Sequence, residues 1–185
     1  MRAEYENVLD DHLGKIHFTY VNTWDELLPA HWHEHLEIIY VLGGEITASI
    51  NDVSYELKKG DIFLVNSNDI HYTHTHEDAR YYLLQIPPVH LERISAKWEG
   101  LKFQEFIRSK SADACVQGEQ LENVQGKGLV EMRENRKSTN RADDLYDQLR
   151  DVFRKIAGFY EEKKEGYHLL VLSAVYRLLY FLYTE

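Results

Sequence analysis

The chain has 185 residues, room for one compact domain with a helical appendage, and its net charge of −10 disfavours nucleic-acid binding by this chain alone, because an acidic surface repels phosphate. Apolar residues make up 44% and aromatic residues 12%, with thirteen tyrosines, which excludes a disordered chain. The lone cysteine, Cys115, excludes an internal disulfide framework and a cysteine-only zinc cluster, so a reduced cytoplasm is the expected compartment.

Residues 1–14 open with "MRAEYENVLDDHLG", too acidic and polar for a signal peptide, and are expected to form an arm. No apolar run approaches the roughly 18 residues a membrane span needs. From about Lys15 to Ile86 the chain breaks into short segments rich in Ile, Val, Tyr, Phe and Thr: "KIHFTYV", "LEIIYVL", "EITASIN", "VSYELKK", "DIFLV" and "ARYYLLQI". Turn residues separate them at Gly43-Gly44, Asn51-Asp52 and Lys59-Gly60-Asp61. Such spacing predicts an antiparallel barrel or sandwich over residues 15–90, closed by Pro87-Pro88, which supplies no ladder donor.

Residues 91–140 are expected to hold a short helix and a polar loop. Leu91, Ile94, Trp98 and Leu101 have helix-like spacing weakened by Gly100, and "SKSADACVQGEQLENVQGKG" shows no sustained period. In residues 141–185, Leu145, Leu149, Val152, Ile156 and Phe159 step by four, three, four and three, the apolar seam of an amphipathic helix. After "EEKKEG", the run "YHLLVLSAVYRLLYFLY" predicts a helix apolar almost all round, which must bury two faces. One face fits the preceding helix or the barrel, and the other a second copy of the chain, so a homodimer is expected.

The densest chemistry lies in "HWHEHLE", His31 to Glu37. Side chains alternate along a strand, so His31, His33, His35 and Glu37 would share one face, continued by Ile39 and Val41 as an apolar interior. A turn at Asn66 to Asp69 then brings in His71, on one face with Thr73 and Thr75, while Tyr72, His74 and His76 take the other. His31, His33, Glu37 and His71 make a three-nitrogen, one-oxygen set suited to nickel, manganese, iron or zinc. The same groups suit hydrogen bonding to a polyol, or bonding among themselves. His35 is a secondary ligand candidate. Trp32, facing away, is read as packing.

The run His31, Trp32, His33, three residues, Glu37, six residues, Gly44 resembles the first motif of the cupin superfamily, and Gly60 with "GDIFLVNSNDIH" and His71 resembles the second in outline. The resemblance implies a double-stranded β-helix, or jelly-roll, barrel. It departs where a glycine is replaced by Asp25, and where the second motif's proline, second glycine and asparagine are Asn66, Asn68 and Thr75. With the two C-terminal helices added, "HWHEHLEIIYVLGGEITASINDVSYELKKGDIFLVNSNDIHYTH" resembles the effector-binding and dimerisation domain of AraC-type (arabinose-regulator) transcription factors. The resemblance implies a small organic effector, with carbohydrates a candidate class, and DNA binding through a helix-turn-helix domain that this sequence does not contain. The expected fold is therefore mainly β with C-terminal helices, and the expected role that of a sensor rather than an enzyme. The alternative is a stand-alone cupin metalloenzyme of dioxygenase, isomerase or decarboxylase type. Neither a serine or cysteine nucleophile arrangement nor a glycine-rich phosphate loop is visible.

Overall fold

A computed structural model describes residues 3–8, 16–95, 97–108 and 131–184. The chain divides into two units, 1–106 and 107–185.

The first unit is built from strands β1 (Glu4–Tyr5), β2 (His17–Thr23), β3 (Leu27–Trp32), β4 (Leu36–Gly43), β5 (Glu45–Ile50), β6 (Val53–Lys58), β7 (Ile62–Val65), β8 (His71–Thr75) and β9 (Ala79–Ile86), with β10 at Phe106–Ile107. They form two five-stranded sheets, ordered β1-β3-β8-β5-β6 and β10-β7-β4-β9-β2. The antiparallel pairs are nested: β5 with β6, β4 with β7, β3 with β8 and β2 with β9. A hairpin folded on itself in this way, with successive pairs falling alternately in the two sheets, is a jelly roll. Two short strands outside residues 15–90 extend its edges, Glu4–Tyr5 beside β3 and Phe106–Ile107 beside β7, so the β architecture is wider than the span read from composition. Both segments are too short to show a period of two.

Local chemistry shapes the connections. Asn51 and Asp52 both have positive φ, 47° and 70°, the tight two-residue turn that joins twisted antiparallel strands. Gly44 has φ +73°, and a Cβ there would stand 2.7 Å from the Glu77 and Asp78 carbonyl oxygens and from Ala79 Cα, so only glycine fits. Asp25 and Asn68, two of the departures from the cupin pattern, also lie in the left-handed region, with φ 47° and 67°. Asp and Asn tolerate that region better than other side chains, and the backbone path survives both replacements.

The interior of the roll is an apolar cluster of Ile39, Val41, Ile46, Ala48, Ile50, Leu57, Phe63, Val65, Ala79 and Tyr81. Leu36, Ile38, Leu64, Leu84 and Ile86, on the opposite face of the same sheet, are buried as well. Burial on both faces is why "LEIIYVL" is continuously apolar instead of alternating.

Beyond β9 come a one-turn helix α1 (Pro88–Glu92) and a 3-10 turn at Trp98–Gly100. The loop expected over 109–128, with Cys115, lies outside the described residues. In the second unit, α2 (Glu131–Glu162) and α3 (Tyr167–Thr184) follow. Helix α2 starts ten residues before the expected 141: Glu131 to Asn140, read as polar loop, is helical. Glu, Arg and Lys are good helix formers, but a segment without an apolar seam gives no periodic signal. From Leu145 on the seam is largely as read, with Leu145, Leu149, Val152 and Ile156 buried, joined by Tyr146, Phe153 and Ala157, while Phe159 is half-buried. Helix α2 ends where Lys163 and Gly166 take positive φ, and α3 buries Val171, Ala174, Val175, Leu178, Leu179 and Leu182. Among the described residues, no helix is long and apolar enough to cross a membrane.

Candidate functional site

The run His31 to Glu37 is not one strand. Strand β3 ends at Trp32 and β4 begins at Leu36, so residues 33–35 cross from one sheet to the other. The expectation of a single shared strand face is corrected here. The crossing keeps the chain extended enough for His31 and His33 to face the same place.

Each functional side chain has a local reason for its position. His31 pairs with His71 across β3 and β8, and their ring centroids are 4.1 Å apart. His33 is held by the donation of Asn68 N–H to its carbonyl at 2.9 Å, and its ring lies 4.9 Å from that of His71. His71 shares the inner face of β8 with Thr73 and Thr75, all three buried. Glu37 pairs with Gln85 across β4 and β9, at the polar end of the face that continues inward as Ile39 and Val41.

One ring nitrogen from each of His31, His33 and His71 lies within 4.8 Å of the other two. The second nitrogens show which ones converge. Nδ1 of His31 faces Pro29 O at 2.7 Å, Nδ1 of His33 faces His35 O at 3.1 Å, and Nδ1 of His71 faces Asp69 O at 3.0 Å. A carbonyl only accepts, so each Nδ1 carries a proton and donates it. In a neutral ring this leaves Nε2 with its lone pair free to ligate, as for His31 and His71, the arrangement found behind metal-binding imidazoles. His33 Nε2 also faces an acceptor, Glu37 Oε2, so it holds a proton that an arriving cation would displace.

Glu37 is buried beside this set. Its Oε2 accepts from Gln85 Nε2 at 2.9 Å and lies 3.0 Å from His33 Nε2, and its Oε1 is 3.8 Å from His71 Nε2. Burial alone would push the Glu37 carboxyl up, but the His33 hydrogen bond, the His71 and His33 charges and the Gln85 donor together hold it at about 2. Burial would lower His33, and the hydrogen bond and charge of Glu37 outweigh it with help from Glu6, so the His33 pKa is raised. His71 is lowered, chiefly by burial, with Glu37 opposing. Its Nε2 is buried and makes no hydrogen bond. A buried nitrogen with no hydrogen bond, aimed at two other imidazoles and a carboxylate, fits a divalent cation: His31, His33, His71 and Glu37 would supply three nitrogens and an oxygen.

His35 does not join the three converging rings. Its carbonyl takes part through His33, and its ring centroid is 5.9 Å from that of His33. On the other face of β8, His74 Nε2 meets Asp25 Oδ1 at 2.9 Å, and nearby His76 Nε2 meets Thr47 Oγ1 at 2.8 Å. Trp32 packs edge-on against Tyr5 with ring centroids 4.9 Å apart. Sequence reasoning missed two groups. Gln85 was legible as a polar residue in the otherwise apolar "LLQI" end of its strand. Glu6 lies 3.7 Å from His31 Nε2 and 3.8 Å from His33 Nε2, and nothing local in the acidic N-terminal segment distinguishes it from its neighbours.

The family of AraC-like ligand-binding domains matches residues 14–179. This chain belongs to that family. The AraC-like domain also aligns over 63 residues, at 30% identity, with an uncharacterized HTH-type transcriptional regulator, YdeC, of Bacillus subtilis. The aligned part is 33% of this chain and 22% of the regulator, so the chain spans about a fifth of that relative's length. Among solved structures it is similar to an RmlC-like cupin from Shewanella frigidimarina (20% identity, 39% of this chain and 66% of that one, TM-score 0.37). It is also similar to KdgF from a Halomonas species (23%, 39% and 68%, TM-score 0.37). A predicted oxalate decarboxylase from Thermotoga maritima gives comparable figures (23%, 38% and 64%, TM-score 0.36).

Proposed function

We propose that this AraC-like domain is the sensor of a cytoplasmic transcription regulator: a small polar effector, with carbohydrates the first class to test, binds at the histidine end of the barrel and biases an attached helix-turn-helix domain. The observation that carries this reading is the convergence of three Nε2 atoms and the Glu37 carboxylate at the polar end of an otherwise apolar interior. Ligand sites commonly combine an apolar cavity with a few polar groups that fix orientation. Tyr81 lines that interior, and burial followed by the charges of Glu37 and Glu26 pushes its hydroxyl up to about 12, so it stays neutral and able to donate. His31, His33, His71 and Glu37 would hold nickel, manganese, iron or zinc, and a bound ion would supply a Lewis-acid contact for effector oxygens. The chain's own groups do the rest: Gln85 and the three carbonyls orient the ligating atoms, and the apolar cluster below excludes water. A regulator also needs the effector to distinguish two states of the domain, because only differential affinity shifts an equilibrium.

Thermal melts of the untagged, metal-quantified chain against monosaccharides, uronates and small organic acids test this. A true effector at about 100 times its Kd stabilises by about 2.7 kcal/mol, a shift of several degrees. Absence of any shift across these classes sinks the sensor reading. The runner-up, a cupin metalloenzyme, is favoured by the same ligand set and would be revived by metal-dependent turnover.

The helix pair is proposed to join two copies. Leu169, Ser173, Tyr176, Tyr180 and Tyr183 step by four, three, four and three along α3, and Leu169, Tyr180 and Tyr183 are exposed, a second seam on the side away from the buried one. Light scattering at micromolar concentration should return twice the mass of one chain. A monomeric mass there would remove the dimer.

A further inference from the structure

We infer that Glu6 is an additional ligand of the histidine site, carried in by the N-terminal strand, so that a bound divalent cation fastens that strand to β3. The inference rests on the metal reading above and adds to it a residue that lies outside the cupin motifs.

Strand β1 runs parallel to β3 in a fixed register, Glu4 beside His31 and Tyr5 beside Trp32. The Glu6 N–H donates to Trp32 O at 3.0 Å, and Tyr5 packs on Trp32. Alternation then separates the two sides: Tyr5 and Trp32 face one way, while Glu6 falls with His31 and His33 on the other. Glu6 Oε2 stands 3.7 Å from His31 Nε2 and 3.8 Å from His33 Nε2. Both distances exceed hydrogen-bond reach. They are close to the separation of two atoms sharing one ion, since ligands about 2.1 Å from a metal lie about 3.4 Å apart at tetrahedral angles. Glu37 Oε1 keeps the same kind of distance, 3.8 Å, from His71 Nε2. Thus two carboxylates approach the three imidazoles, Glu37 and Glu6, and together they balance the charge of a divalent cation, which Glu37 alone does not.

The two carboxylates differ in how they are held. Glu37 is buried and bonded to Gln85, whereas the Glu6 side chain is 44% exposed, and an exposed ion pair of this length contributes little by itself. A two-residue strand attached by such contacts is weakly seated, and ligation adds a bond that ends on it. Occupancy of the site is thereby linked to the position of the N-terminal segment.

Cobalt(II) titration of the whole chain, with hydrogen exchange of residues 3–8, tests this on the wild type, Glu6→Gln and Glu6→Asp. The wild type is expected to bind one cobalt and to slow exchange of these amides on binding. Glu6→Gln, which keeps the size of the side chain, should bind about tenfold or more weaker, lose the metal-induced protection and change the cobalt visible spectrum. Glu6→Asp keeps the charge and loses reach, so it should resemble Glu6→Gln. Wild-type affinity and spectrum in Glu6→Gln overturn the inference and leave the metal reading standing. Full affinity and protection in Glu6→Asp overturn it too, since charge without reach would then suffice. A wild type that takes up no cobalt removes both.

Discussion

Replacing His71 by alanine is expected to weaken nickel or zinc binding by at least about a hundredfold, close to 3 kcal/mol. His71 is the central ring, 4.1 Å from His31 and 4.9 Å from His33 by centroid, and its Nε2 has no hydrogen bond to give up on ligation. Its Nδ1 is already committed to Asp69 O, so its orientation costs nothing further when an ion arrives. His74→Ala is the matched control: that ring sits on the other face of the same strand, paired with Asp25, and affinity should stay within a factor of two or so. Competition with a chromophoric chelator measures both, with circular dichroism to verify folding. Equal affinity of the two variants would show that the cluster does not bind metal through His71.

Glu37→Ala should cost the metal-free protein about 3 kcal/mol, read from urea melts at neutral pH in the presence of chelator. The loss strands the buried donor of Gln85 and the His33 nitrogen, and deleting one partner of a buried charged pair is far more costly than deleting a surface one. The pH dependence carries the sign. Glu37 titrates near 4.5 when unfolded and at about 2 when folded, so its contribution is complete above about pH 4.5 and disappears as pH falls through about 2. His33 is raised above 6.5, so its contribution is complete below that value and is lost as pH rises through the folded pKa. The pair therefore helps most between about pH 4.5 and 6.5. In Glu37→Ala the fall in stability between pH 4.5 and 2 should be distinctly shallower than in the wild type. Parallel curves for the two proteins would locate the acid sensitivity elsewhere.

The sheet segments and the ligand motif were legible because their information is local. "LEIIYVL", "EITASIN", "VSYELKK", "DIFLV" and "ARYYLLQI" each became a strand, since β-branched and aromatic residues bounded by turn residues leave the backbone few alternatives. The left-handed Asn51-Asp52 turn and the crowding around Gly44 are likewise properties of residues next to one another. The motif His31, His33, Glu37 and His71 named a candidate ligand set, and alternation put the first two imidazoles on one side. Whether His31 and Glu37 belong to one strand was not legible, because an extended chain alternates in the same way inside a sheet and between two sheets.

What the sequence by itself determined is thus the six strand segments read from their composition, the jelly-roll class and the set of groups able to ligate an ion. Tertiary structure alone decided which partners those groups meet. His71 meets His31 because β8 pairs with β3, Gln85 crosses from β9 to hold Glu37, and Glu6 reaches the cluster because β1 pairs with β3. The physical reason is that side-chain periodicity encodes the direction in which a residue faces, whereas its neighbour across the interior is set by the register of strands far apart in the chain.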